Sequence, residues 1–250
     1  MCTLRKRTTI IAWVVGTLAV LGLAAFIFGP GIYARYAESV VDAPPSISAA
    51  PSDPDSTTAP SEQARDFAGT WRVAEGSYAG YRVEEVLRGE DVTVTGRTED
   101  VTGSLTVDDT DTDNDNDNDN GALTLAEAEV VVDVGSIATN EPPRDAYFRE
   151  TALQVGEYPT ATFSLGEPVT LEPPLAGQAQ DVEAAGELTL HGVTRPVSVE
   201  LQAALTDTGA QVAGSIPITF SDFDVDAPSL GFVEVEDAGF VEFLVNLERD

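Results

Sequence analysis

From Phe67 onward, apolar residues recur at every second position, and this alternation constrains the fold more than any other feature. In AEVVVDV (128–134), Ala128, Val130, Val132 and Val134 share one face. TATFSL (160–165) aligns Ala161, Phe163 and Leu165, and PVSVEL (196–201) aligns Val197, Val199 and Leu201. VEFLVNL (241–247) aligns Val241, Phe243, Val245 and Leu247, while YRVEEV (81–86) and QVAGSIPITF (211–220) add two candidate strands. Successive side chains of a strand point to opposite sides, so these runs predict antiparallel strands with one buried face. No amphipathic stretch reaches the length of a substantial helix; RDAYFRET (144–151) predicts one or two turns. About eight or more strands separated by glycine-bearing turns predict a sandwich or a closed barrel. A small closed barrel either fills its interior with side chains or holds one ligand, and the pattern alone does not choose.

The N-terminal part follows different rules. Residues 8–28 carry no charge and are long enough to cross a hydrocarbon core of about 30 Å as a helix. Arg5, Lys6 and Arg7 precede them, whereas Glu38 and Asp42 follow. The positive-inside rule then gives a cytoplasmic tail (1–7), a transmembrane signal anchor (8–28) and an extracytoplasmic remainder at the cell membrane. A cleaved signal peptide is the alternative, although its apolar region is ordinarily about 7–15 residues. Residues 29–66, rich in Pro, Ser, Ala and Asp without apolar periodicity, predict a disordered stalk. The folded domain is expected over 67–250.

Composition removes several chemistries. The formal net charge is −30, which opposes nucleic-acid phosphates. Cys2 is the only cysteine and His191 the only histidine, too few ligands for a thiolate or imidazole zinc site. His191 lies in LTLHGVTRPVSV between two alternating runs, where Gly192 permits positive φ and Pro196 lacks an amide donor. The segment reads as a hairpin connection, with no nucleophile, carboxylate or metal partner in the local sequence.

Two acidic runs invite metal. In DTDNDNDNDNG (111–121), counting back from Gly121 puts Asn116 where an EF-hand requires Asp, and the flanks read as strands rather than helices. A solvated loop is the better reading. Asp222, Asp224 and Asp226 in SDFDVDAPS have no specific ligand spacing.

ELTLHGVTRPV (187–197) resembles the most recognisable signature of the YceI-like family. WRVAEGSYAGYRVEEV (71–86), GRTEDVTGSLTVDD (96–109), VVVDVGSIATNEPPRDAYFRE (130–150), YPTATFSL (158–165) and GSIPITFSDFDVDAPSLGF (214–232) resemble its other segments in order. The resemblance covers essentially all of 67–250. It implies an all-β, lipocalin-like antiparallel β-barrel of about eight strands with a short helix, in a membrane-anchored form. It further implies an elongated apolar cavity that takes a polyisoprenoid or isoprenoid-quinone-like lipid, with no catalytic constellation; no metal and no cofactor are expected. On that basis the expected cavity lining is Tyr81, Val83, Phe163, Leu165, Phe220, Phe223, Phe232 and Phe243. Arg144 and Arg149, near the barrel mouth, are expected to contact an anionic or quinone-like headgroup because arginine suits bidentate recognition. The rival reading is a filled barrel acting as an interaction module through its acidic surface or the 111–121 loop. An enzyme centred on His191 or on the acids at 222–226 is the weakest reading.

Overall fold

Among the described residues, the period-two segments become eleven antiparallel strands in one continuous sheet. The structure, a computed structural model, describes residues 31, 35–36, 39, 41–47, 67–109, 123–171, 179–206 and 209–250. The strands are β1 (Gly69–Val73), β2 (Tyr78–Leu87), β3 (Glu90–Thr98), β4 (Val101–Asp109), β5 (Leu123–Asp133), β6 (Thr160–Leu165), β7 (Val169–Leu171), β8 (Gln180–Leu190), β9 (Val193–Thr206), β10 (Gly209–Thr219) and β11 (Val233–Arg249).

Closure depends on the short β1. Trp71 pairs with Leu105 of β4 on one side and with Arg249 of β11 on the other. This completes an eight-stranded ring in the order β1-β4-β5-β6-β8-β9-β10-β11. A closed ring leaves no unpaired edge among its members. The β2–β3 hairpin lies against the first part of β11, where Val233–Leu244 pairs with Leu87–Tyr78. The sequence expectation of an eight-stranded antiparallel barrel with a short helix therefore holds.

Turn chemistry sets the registers. The β8–β9 hairpin turns on His191 (φ 51°) and Gly192 (φ 74°), between the paired Leu190 and Val193. Two consecutive positive φ values match the right-handed strand twist, and glycine takes the second without strain. The short helix α1 (Pro142–Tyr147) starts with two prolines, which occupy positions whose amides have no helical partner. It runs into one π turn, Phe148–Ala152, closed by the Leu153 amide donating to the Phe148 carbonyl at 2.9 Å.

The N-terminal expectations are corrected. Among the described residues no helix is long and apolar enough to cross a membrane. Residues 8–28, where the signal anchor was expected, lie outside the described residues. A charge-free apolar run is necessary for a span but does not establish one. The membrane-anchored form, the membrane partner and the single-pass extracytoplasmic placement all rested on that run, and no described helix supports them.

The stalk expected over 29–66 is also corrected, because its described residues 41–47, which carry no regular secondary structure, contact the barrel. The Asp42 carbonyl accepts from Arg82 at 2.6 Å, and the Ala43 carbonyl accepts from Arg97 at 3.0 Å. The Asp42 carboxylate pairs with Arg97 at 3.0 Å, and the Ile47 amide donates to Gln202 Oε1 at 3.2 Å. Arg97, Arg82 and Gln202 sit on β3, β2 and β9, so this strap crosses the outside of several neighbouring strands. Composition predicts no core for such a segment, but its carbonyls find guanidinium donors on the strands. The acidic loop 111–121 lies outside the described residues.

Candidate functional site

The inward faces enclose two adjoining cavities of about 230 Å³ and 460 Å³. Ala79, Val132, Ala161 and Val241 line both, so the two spaces share a wall along the barrel axis. The smaller one lies at the β1–β4 end, among Trp71, Leu105, Val107, Phe163, Phe243 and Leu247. The larger one lies under α1 and the loop before β11, among Tyr81, Val83, Phe148, Leu153, Phe220 and Phe232. Phe232 and Leu230 are exposed at its rim. The interior is therefore not filled by side chains at these two places.

The structure divides the expected lining residues between the two cavities. Phe163, Leu165 and Phe243 line the smaller cavity, and Tyr81, Val83, Phe220 and Phe232 line the larger. Phe223 lines neither. It closes a 3-10 turn, Phe220–Phe223, and packs into the core with 2% exposure. Arg144 lines the larger cavity, whereas Arg149 does not and donates to the Ile137 carbonyl at 3.4 Å.

Polar groups concentrate at the larger cavity. Arg144 on α1 donates from Nη2 to Oε1 of Glu85 on β2 at 3.0 Å, and Glu85 is only 5% exposed. Its neighbour Asp145, also buried, accepts from the Thr139 amide at 2.9 Å and from Thr139 Oγ1 at 2.7 Å, fixing the loop that leads into α1. Tyr81 stacks on Phe148 with ring centroids 4.9 Å apart. Gly96 makes room for that ring: a Cβ there would lie 2.6 Å from Tyr81 Cε1. Burial pushes the Tyr81 phenol well above its ordinary value; Arg144 draws it down, while Asp145 and Glu85 push it further up. The group is thus a neutral hydroxyl, and among the described residues that hydroxyl has no hydrogen-bond partner.

Sequence reading missed Glu85 and Phe148. Glu85 had a usable signal. In YRVEEVL it shares parity with Tyr81, Val83 and Leu87, which places a carboxylate on the buried face. Phe148 sits on the π turn, which follows neither strand nor helix periodicity.

His191 serves the turn. Its Nδ1 lies 3.2 Å from the Phe223 carbonyl, which can only accept, so Nδ1 carries the proton. Its ring meets Tyr158 edge-on at 4.7 Å. Among the described residues no group of three or more His, Cys, Asp or Glu side chains could hold a metal ion. Asp222 offers its backbone carbonyl to Arg195 at 2.9 Å, Asp224 takes the left-handed conformation that ends the 3-10 turn, and Asp226 lines the cavity rim.

A closed antiparallel barrel with an apolar interior and a few polar groups at one end defines a ligand-holding protein of lipocalin-like build. The YceI-like domain pattern matches residues 71–247, and the chain belongs to that family, whose members are non-catalytic ligand-binding proteins. It is 31% identical over 162 residues to a UPF0312 protein of Pseudomonas paraeruginosa, covering 61% of this chain and 72% of the relative. It is also 31% identical over 119 residues to a UPF0312 protein of Vibrio parahaemolyticus, where the match spans 44% of this chain and only 60% of the relative. Among solved structures, a polyisoprenoid binding domain from Saccharophagus degradans, implicated in plant cell wall breakdown, superposes with a TM-score of 0.55. That match covers 73% of this chain and 99% of the other at 18% identity, a likeness of fold.

Proposed function

We propose that this barrel sequesters or carries an elongated isoprenoid-type amphiphile, with its apolar chain lying through both cavities and its headgroup at the end lined by Tyr81, Glu85 and Arg144. The observation that carries this reading is the shared wall. One small ligand would fill one cavity, whereas a chain of repeating branched units suits two apolar spaces in line. Of the lining residues that sequence reading proposed, Phe163, Leu165 and Phe243 would meet the tail. Tyr81, Val83, Phe220 and Phe232 would meet the part nearer the headgroup. The Saccharophagus protein of like fold is a polyisoprenoid binding domain, which agrees with this reading.

The energetics suffice. Burying roughly 300 Å² of apolar chain at about 25 cal/mol per Å² gives about 7.5 kcal/mol, before the ordering cost is subtracted. The test is native mass spectrometry of the full chain purified from a host that makes isoprenoid quinones, followed by organic extraction. A discrete prenyl-lipid mass released on denaturation is the expected result. A chain that stays free of ligand after incubation with prenyl lipids would sink the proposal.

A further inference from the structure

The polar inventory of the cavities bears on the headgroup. Among the described residues lining the two spaces, Arg144 is the only cationic side chain, against the carboxylates of Glu85, Glu141 and Asp226. Arg144 is already committed to Glu85 at 3.0 Å. A phosphate that took the guanidinium would leave the Glu85 carboxylate buried without its partner. It would also sit beside the buried Glu85, where water does little screening. An ammonium headgroup fares no better deep in the site, because Glu85 is neutralised there and Asp226 is a solvated rim group. The Tyr81 hydroxyl differs: it lines the same space, is held by its stack on Phe148, and has no hydrogen-bond partner among the described residues.

Resting on the container reading above, we infer that the site selects an uncharged headgroup, an alcohol or quinone oxygen that accepts a hydrogen bond from Tyr81. The Glu85–Arg144 pair is then an electrostatic filter that keeps phosphorylated prenyl lipids out. Arg144 acts here as the counter-ion of Glu85 rather than as an anion grip.

The experiment measures binding of geranylgeraniol, geranylgeranyl phosphate and geranylgeranylamine to the full chain by equilibrium titration of tryptophan fluorescence, since Trp71 lines the smaller cavity. The alcohol is expected to bind at least tenfold tighter than either charged probe. Tyr81→Phe should weaken the alcohol about fivefold, as loss of one hydrogen bond does. Glu85→Gln, which frees Arg144, should narrow the alcohol-to-phosphate ratio to below threefold by improving the phosphate. If Glu85→Gln fails to fold by circular dichroism, the ratio in the unaltered chain decides alone. A ratio under tenfold there overturns the filter while leaving the container reading intact. Failure of all three probes to bind overturns the container reading itself.

Discussion

Arg144 and Glu85 join α1 to β2 through one ion pair, 3.0 Å long, inside the mouth of the barrel. With Glu85 at 5% exposure, the pair is worth more broken than made: removing one partner strands a buried charge, while removing both does not. Arg144 is itself partly exposed, so Arg144→Ala should cost about 1–3 kcal/mol, the penalty of leaving a buried group unsatisfied. Combining it with Glu85→Leu should recover most of that loss. Urea unfolding of the unaltered chain, both single variants and the double variant closes the cycle. Additive single effects would contradict the coupling.

Tyr81 gives the barrel an alkaline weakness. Its phenol is held above the ordinary value by burial, so the folded state keeps a proton that the unfolded chain releases. Stability from this group is complete below about pH 10 and falls as pH rises toward the folded value, by up to about 1.4 kcal/mol per pH unit. Tyr81→Phe should flatten that part of the profile. Comparing urea midpoints of the two proteins at pH 8, 10 and 11 checks it, and parallel profiles would exclude the effect.

Much of this architecture was legible from period-two patterning. Ala128–Val130–Val132, Ala161–Phe163–Leu165 and Val241–Phe243–Val245–Leu247 all line the smaller cavity, as parity requires. Ring closure was not legible, because it depends on β1, five residues that must meet β4 nearby and β11 at the far end of the sequence. Local pattern carries no information about such a distant pairing. Phe223 misled because strand alternation stops at Thr219, where β10 ends: Phe220 and Phe223 lie on the 3-10 turn that follows, and Phe220 lines the larger cavity while Phe223 packs into the core. The strap at 41–47 was hidden by composition, since Pro, Ser and Asp announce a lack of core but not a dock. Its anchors, Arg82 and Arg97, are outward-facing strand residues that a hydrophobic pattern ignores.

That strap is testable. Arg97 holds both the Asp42 carboxylate and the Ala43 carbonyl, and its guanidinium lies 4.6 Å from the Tyr78 ring centroid. Arg97→Ala should release the segment without opening the barrel. Limited proteolysis by an Asp-directed endoprotease should then cut at Asp42 at least several times faster. An unchanged cleavage rate would mean that the strap does not depend on Arg97.

The sharpest structural test of a through-going cavity lies at its shared wall. Ala161 on β6 faces both spaces, with Val132 and Val241 also lining each. A larger side chain at this position would close the passage from one to the other. Overpacking ordinarily costs about 1–3 kcal/mol, and the adjoining empty space should keep Ala161→Phe at the lower end. The substituted barrel should therefore fold, and its bound lipid should change. Farnesol, short enough for one cavity, should still bind within about threefold, whereas geranylgeraniol and longer prenols should lose at least tenfold, about 1.4 kcal/mol. Equal losses for short and long chains would mean that the ligand occupies a single cavity and that the shared wall is not a passage.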